Sequence, residues 1–504
     1  MHSLTSADIA YIRSSGRDPE AVAAQIEILK SPRVSAPLIR EAVVGDGIEQ
    51  FQTYDLAALL ALNVKAASEG RISSFVPASG SGTRLFQSLL HIYRNQETDL
   101  EEIRRKASQG NAASADALAV LENIESFAIW PELEGRGCSP HSSQEILQTL
   151  FGNEGLRYHE LPKGLIPFHR YEDDVRTAFA EHIHEAGAIT AGRNNNCRIH
   201  FTVSAVHRRR FEEDWLREQP ALERALGVRC QVEFSVQSPA TDTIAVDLDG
   251  NLRRDNAGNI IFLPGGHGAL LPNLAATGGD IVLIKNIDNV ASRSRAAEVI
   301  EIRKQISGLL LHIQSQVHEA IRSLRRDDDP NEALQFLHRQ FGRKIPHSRT
   351  DEASRRDYAS AQLNRPLRVC GVVATLEHAG GRPFWMDVEQ QGPMLQIVEG
   401  AEVDLTDPEK KEQFFRSRYF NPVDIACALR DVDGNPFDLN RFTDPSRAII
   451  AEKVLQGVPS LLYEHPGLWN GGMALWNTVF VEIPSFAFNP VKSLSDLRSP
   501  GHLA

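Results

Sequence analysis

The chain has 504 residues, 42% of them hydrophobic and 24% charged, the balance of an ordinary globular protein with length for about three domain-sized units. Its formal net charge of −12 argues against nucleic acid as a partner while leaving room for a local basic pocket. The five cysteines (Cys138, Cys197, Cys230, Cys370, Cys427) are scattered and form no CxxC pair, so neither a disulfide framework nor a thiolate zinc site is expected, as suits a reducing cytoplasm. There is no signal-peptide pattern and no apolar run near the roughly 20 residues of a membrane span.

In chain order, residues 1–70 read as a helical cap, with apolar residues at helical spacing over Ala21–Leu29 and Tyr54–Ala67. A buried strand follows. It ends at Phe75-Val76 and runs through Pro77-Ala-Ser-Gly-Ser-Gly-Thr-Arg84 into a helix. Gly80 and Gly82 favour unusual backbone angles there. A turn of this kind aims backbone N–H groups at one point beside a helix start, which favours an anion such as a phosphate. Arg84 adds a permanently charged planar fork.

Residues 87–155 read as a helical insertion: Glu101–Ser108, Ala112–Phe127, Gln144–Phe151. Next comes Leu161-Pro-Lys-Gly164, irregular because of Pro162 and Pro167, with Gly164 letting a backbone approach a ligand beside Lys163. Expected beyond it are a helix over Asp174–Ala186, a strand over Ile199–Val203, helices over Val206–Arg217 and Ala221–Ala225, and strands over Cys230–Ser235 and Thr243–Val246. This rhythm predicts an open α/β sheet with helices on both faces and ligands at the C-terminal strand ends. Pro264-Gly-Gly-His-Gly268 precedes a short helix. Asp280–Lys285 is a strand ending in Asn286-Ile-Asp-Asn289, a carboxylate position suited to a metal. A long helix runs from its cap Ser292 to Arg325.

The α/β domain is thus expected over 71–343, a polar linker over 344–364, and an α+β part over 365–504 with strands Leu367–Val373, Pro383–Asp387 and Thr478–Ile483. His182 and His184, two apart on a helix, do not face each other and are rejected as a metal pair. Arg208–Arg210 and Arg325-Arg326 read as solvated helix faces or ends. Trp469 and Trp476 read as core or cavity walls.

Five motifs now stand in a fixed order: Gly80-Ser-Gly-Thr-Arg84, Pro162-Lys-Gly164, Pro264-Gly-Gly-His-Gly268, Asn286-Ile-Asp-Asn289 and, within Phe488–Leu497, Pro490-Val-Lys492. Over about residues 72–498 this order resembles the nucleotide-sugar pyrophosphorylases acting on glucose 1-phosphate or N-acetylhexosamine 1-phosphate. Over nearly its whole length the chain also resembles a bacterial family of unknown function, including Gly467-Leu-Trp-Asn470 and Trp476-Asn-Thr478. It departs from the pyrophosphorylases in carrying Ser79 for the first loop glycine and in placing residues 87–155 before the lysine motif.

The resemblance implies an α/β fold with a Rossmann-like mixed sheet, like that of the nucleotide-diphospho-sugar transferases, and a nucleotidyltransferase that makes an NDP-sugar and pyrophosphate from an NTP, by preference UTP, and a sugar 1-phosphate, with Mg²⁺. Ser79, Gly80, Ser81, Gly82, Thr83 and Arg84 would cradle the triphosphate. Lys163 would neutralise charge near the attacked phosphorus, and Lys492 would pair with the sugar phosphate. Gln237, Gly266, His267 and Gly268 would lie against base and ribose, and Asp288 would hold the metal. Asn286, Asn289 and Asn470 are further candidates for substrate contact. Two alternatives stand: a related transferase using an NDP-sugar, and a catalytically silent nucleotide- or sugar-binding protein. Neither nucleic acid nor membrane is expected as a partner, and the sequence leaves the oligomeric state open.

Overall fold

In the computed structural model, residues 4–31, 35–192, 195–374, 380–388 and 391–503 are described. Two compact units share the chain. The smaller comprises Ala67–Phe234, Lys285–Arg303 and Phe486–Ala504; the larger comprises Met1–Ala66, Ser235–Ile284 and Lys304–Ser485.

In the smaller unit the strand Ile72–Pro77 is buried on both faces from Ile72 to Val76, as expected of a parallel strand covered by helices. It pairs in parallel with Asn196–Val203, Ser74 opposite Ile199 and Pro77 opposite Thr202. Arg229–Val236 lies beside that strand. The helices begin at polar caps. Thr177 accepts from Ala180 N–H ahead of Ala178–Thr190. Asp99, Asn111 and Ser142 do the same for Leu100–Ser108, Ala112–Leu121 and Ser143–Phe151 of the insertion. Phe179, Phe201, Phe211 and Phe234 pack together, with Phe179 and Phe201 ring centroids 4.7 Å apart.

In the larger unit, Leu367–Ala374 is the central strand of a mixed sheet. It runs parallel to Asn477–Glu482 and antiparallel to Asp424–Ala428, and Gly47–Gln50 adds in parallel beyond Asn477–Glu482. A three-stranded sheet (Leu38–Glu41, Arg382–Val388, Gly392–Val398) and a four-stranded one (Phe262–Leu263, Thr243–Asp247, Val458–Glu464, Ile449–Leu455) complete it. The helix Arg293–Arg325 contributes its first turns to the smaller unit and the rest to the larger. No helix among the described residues is long and apolar enough to cross a membrane.

Four local readings are corrected. Within 1–70, Leu38–Glu41, Val43–Val44 and Gly47–Gln50 are strands. Ile39, Val43, Val44 and Ile48 are β-branched, and Gly45 and Gly47 have φ of +83° and +96°, angles that no helix contains. The stretch 344–364 carries a helix, Glu352–Leu363, capped by Asp351. Its buried face is only Tyr358, Ala359, Gln362 and Leu363, too polar to be read as apolar periodicity. The two helices expected over 206–225 are one, Arg208–Leu226, with Pro220 inside it. The helix expected from Asp174 begins after a short strand, Val175–Thr177.

Candidate active site

The glycine loop leaves its strand through Ala78, whose N–H donates to Thr202 O at 2.8 Å. It is stitched to the lysine turn twice: Gly82 N–H donates to Leu161 O at 2.8 Å, and Lys163 N–H donates to Gly80 O at 2.9 Å. A Cβ on Gly82 would stand 2.5 Å from Ile166 Cδ1 and 2.8 Å from Leu161 O. Glycine is therefore required at Gly82 by close approach and not by a left-handed φ. Gly80 has neither a left-handed φ nor an atom within 4 Å of its would-be Cβ, so the conformational demand expected there is absent. Thr83 Oγ1 donates to His159 O at 2.8 Å, and Ser81 Oγ accepts from Thr83 N–H at 3.1 Å. Ser79, Gly80, Ser81, Thr83 and Arg84 are exposed. Among the described residues the N–H groups of Ser79, Gly80 and Ser81 reach no backbone carbonyl, and Arg84 has no ion-pair or hydrogen-bond partner. This is a set of open donors beside a cation.

The lysine turn brings Lys163 inward. Its Nζ donates to Val491 O at 2.8 Å and to Asp288 Oδ2 at 3.1 Å. Lys492 Nζ donates to the same Oδ2 at 2.9 Å. Burial raises the Asp288 carboxyl, but Lys163 and Lys492 outweigh it and hold the group below its usual range. Burial lowers the Lys163 ammonium, Asp288 opposes this, and the charges of Lys492 and Arg84 push it further down. A Cβ on Gly164 would lie 3.0 Å from the Phe211 ring, so glycine is needed for packing.

Two segments 200 positions apart align this node. Val491 N–H donates to Asp288 O at 3.0 Å, and Asn489 N–H donates to Asn289 Oδ1 at 3.0 Å. Asn289 is buried, with Nδ2 unpartnered, and the half-buried Asn286 closes the turn by accepting from Asn289 N–H. Asp496 Oδ2 accepts from both Lys492 N–H and Ser493 N–H at 2.7 Å, and Leu494 N–H donates to Leu85 O at 3.0 Å, just after the glycine loop. His182, fully buried and kept neutral by that burial, donates from Nε2 to Ile287 O at 3.2 Å, behind Asp288. The structure thus brings together the loop, Lys163, Asp288, Asn289 and Lys492. Sequence reasoning missed Asp496, His182 and Phe211. For Asp496 a signal existed in its Ser-x-x-Asp spacing from Ser493.

The expected metal has one carboxylate to meet it. Among the described residues no group of three or more His, Cys, Asp or Glu side chains is placed to hold an ion. Asp288 Oδ2 is committed to the lysines, and Oδ1 makes no hydrogen bond to another described residue. One hard carboxylate oxygen fits Mg²⁺, which takes one or two carboxylates and fills its shell with substrate phosphates and water.

The remaining candidates lie in the larger unit. Gln237 Nε2 donates to Asp242 Oδ1 at 3.2 Å. Gly266 has φ +75°, and a Cβ on Gly268 would stand 2.1 Å from Pro466 O. His267 stacks on Trp469 at 4.2 Å. Its Nδ1 accepts from Leu468 N–H at 3.0 Å, which leaves the proton on Nε2, 3.9 Å from Glu399 Oε1. Burial pushes the imidazole down to about 4. Trp469 Nε1 donates to Glu399 Oε1 at 3.1 Å, so the tryptophan is a wall fixed by a carboxylate. Asn470, expected at the substrate, is fully buried, and its Nδ2 donates to Glu402 Oε2 at 3.0 Å. Arg447 reaches Glu402 Oε1 through Nε at 2.9 Å and Nη2 at 2.6 Å. Nothing in the sequence pattern singled out Glu399, Glu402 or Arg447.

The fold is the mixed α/β fold of the nucleotide-sugar pyrophosphorylases. A point variant of UDP-glucose pyrophosphorylase from Leishmania major, solved in complex with UDP-glucose, matches at 13% identity and a TM-score of 0.50, over 99% of this chain and 78% of that one. The uridine diphosphate N-acetylglucosamine pyrophosphorylase of Trypanosoma brucei, in complex with an inhibitor, matches at 14% identity and a TM-score of 0.47, over 97% and 76%. Within that fold, the chain belongs to the family described as a domain of unknown function (DUF4301), whose model matches residues 5–503. No curated protein matches it.

Proposed function

We propose that the smaller unit catalyses nucleotidyl transfer: an NTP, by preference UTP, and a sugar 1-phosphate give an NDP-sugar and pyrophosphate. The observation that carries this reading is the convergence of Lys163 and Lys492 on one oxygen of Asp288, beside a loop of open N–H groups. Both substrates are anions, so the main barrier is charge repulsion, and the chain's task is positioning and neutralisation.

Asp288 holds the two ammonium groups in place until phosphates arrive. Lys163, buried and directed by Val491 O, then serves the α-phosphoryl group, and the exposed Lys492 serves the sugar phosphate. An oxygen of the sugar phosphate forms the new bond to the α-phosphorus. The bond from that phosphorus to the bridging oxygen breaks, and its electron pair leaves with pyrophosphate. The sugar phosphate is already ionised, so no general base is required. Mg²⁺ on Asp288 would supply further neutralisation of the phosphates.

The experiment is pyrophosphate release with Mg²⁺ across the four common NTPs and a panel of sugar 1-phosphates. Release that requires one NTP and one sugar phosphate together supports the reading and names both substrates. No release across the panel, with a nucleotide still raising Tm, contradicts it in favour of a silent nucleotide-binding protein.

A further inference from the structure

Three consecutive arginines open the helix Arg208–Leu226, and they are not equivalent. Arg208 Nε donates to Glu212 Oε1 at 2.8 Å, and Arg209 Nε donates to Glu213 Oε1 at 2.8 Å. These are ordinary pairs four residues apart on a solvated face. The matching carboxylate for Arg210 is Asp214, and Asp214 is taken by Arg217. Arg210 is exposed and makes no hydrogen bond or close ion pair among the described residues; the carboxylate that feels its charge is Glu160. A guanidinium with no hydrogen-bonded carboxylate in a chain of net charge −12 is a place to look for an anionic ligand.

Its position gives that anion an identity. The neighbouring Phe211 ring seats against Gly164, at 3.0 Å from a would-be Cβ, next to Lys163. The helix is reached from the strand Asn196–Val203, whose Thr202 O holds Ala78 at the mouth of the glycine loop. The helix start has no side-chain cap, and His207 Nδ1 and Ser204 Oγ beside it are buried without partners. Glu160, on the segment that flanks the loop, is already tied to Arg157 at 2.5 Å. Arg84, in the loop, and Arg210, within charge range of Glu160 on the segment that flanks the loop, are therefore two guanidiniums without a hydrogen-bonded carboxylate.

We propose that Arg210 is a further phosphate-binding residue of this site. It receives the terminal phosphates of the nucleoside triphosphate and holds them as the leaving pyrophosphate. The assignment rests on the nucleotidyl-transfer reading and adds a residue that this reading does not require. Arg209, one position away and paired, is the internal control.

The test is calorimetric titration of the full chain with inorganic pyrophosphate, and separately with a nucleoside monophosphate, for the wild type, Arg210→Ala, Arg210→Lys and Arg209→Ala. All three substitutions are at exposed positions, and Tm checks that each variant is folded. A lost charge-assisted contact predicts about tenfold to a hundredfold weaker pyrophosphate binding in Arg210→Ala. An intermediate loss is expected in Arg210→Lys, wild-type affinity in Arg209→Ala, and unchanged monophosphate binding throughout. Equal pyrophosphate affinity in Arg210→Ala and the wild type overturns the assignment, as does a wild type that binds no pyrophosphate. If the wild type still releases pyrophosphate from the substrate panel, only Arg210 falls. If it neither releases pyrophosphate nor binds any nucleotide, the nucleotidyl-transfer reading falls with it.

Discussion

Two charged clusters, one in each unit, use the same chemistry to opposite ends. In the larger unit Arg447 and Glu402 are sealed, with side chains 5% and 3% exposed. The ion pair is matched on both sides: Glu402 Oε1 faces Arg447, Oε2 takes Asn470 Nδ2 and Glu399 N–H, and Arg447 Nη1 donates to Gln396 Oε1 at 2.8 Å, while Asn470 Oδ1 is left without a partner. In the smaller unit Asp288 offers one oxygen to two lysines, and Lys492 is 66% exposed. Removing either ammonium leaves the carboxylate still paired. A sealed network whose ion pair is matched on both sides fixes a conformation, whereas an under-coordinated, open one can exchange partners with an incoming ligand.

The largest expected effect breaks the sealed cluster. Arg447→Met leaves Glu402 buried without its cation and should cost about 3–5 kcal/mol of stability, read as a fall in denaturation midpoint. A loss below about 1 kcal/mol would place that network on the same footing as a surface pair. A smaller effect sharpens the contrast inside the glycine loop. Gly82→Ala drives a methyl into Ile166 and Leu161 O and should cost about 1–3 kcal/mol, whereas Gly80→Ala meets open space and should stay within about 0.5 kcal/mol. Chemical denaturation of the two variants side by side checks this, and equal costs would contradict the packing argument.

The smallest effect is on pH dependence. Because the folded Asp288 carboxyl lies below its usual range, its contribution to stability is complete above the unfolded carboxylate value of about 3.9 and is lost as pH falls through the lower folded value. Asp288→Asn should therefore flatten the acid limb of the stability–pH curve and leave its neutral part parallel to that of the wild type. An unchanged acid limb would remove the node from that balance.

Much of this was legible in the chain. The strand before Ser79, the lysine turn, the Asn286–Asn289 strand end and the Pro490–Lys492 segment each carry local signals: a buried run that stops, prolines, glycines, and a carboxylate after apolar residues. What joins them was not. Lys163 and Lys492 meet Asp288 from 125 and 204 positions away, and no periodicity encodes a meeting that the sheet and the 489–491 pairing create. The packing demand at Gly164 was not legible because its neighbour, Phe211, comes from a distant helix. The helix Glu352–Leu363 was missed because a face of Tyr358, Ala359, Gln362 and Leu363 looks polar on paper. Arg208, Arg209 and Arg210 read alike as a charge run on a solvated face, and only the structure shows that Arg208 and Arg209 have carboxylate partners four residues on while Asp214 is taken by Arg217.

The most direct test of the central claim separates the two lysines. Pyrophosphate release from the substrate pair chosen by the panel should be followed for the wild type, Lys163→Ala and Lys492→Ala, each checked for folding. If Asp288 only holds these ammonium groups until phosphates claim them, Lys163→Ala should lower kcat by about 10²–10³-fold, the range for a lost charge-stabilising group. Lys492→Ala should act mainly by raising KM for the sugar phosphate. Wild-type kcat and KM in both variants would show that the node is a structural ion cluster and would contradict the account.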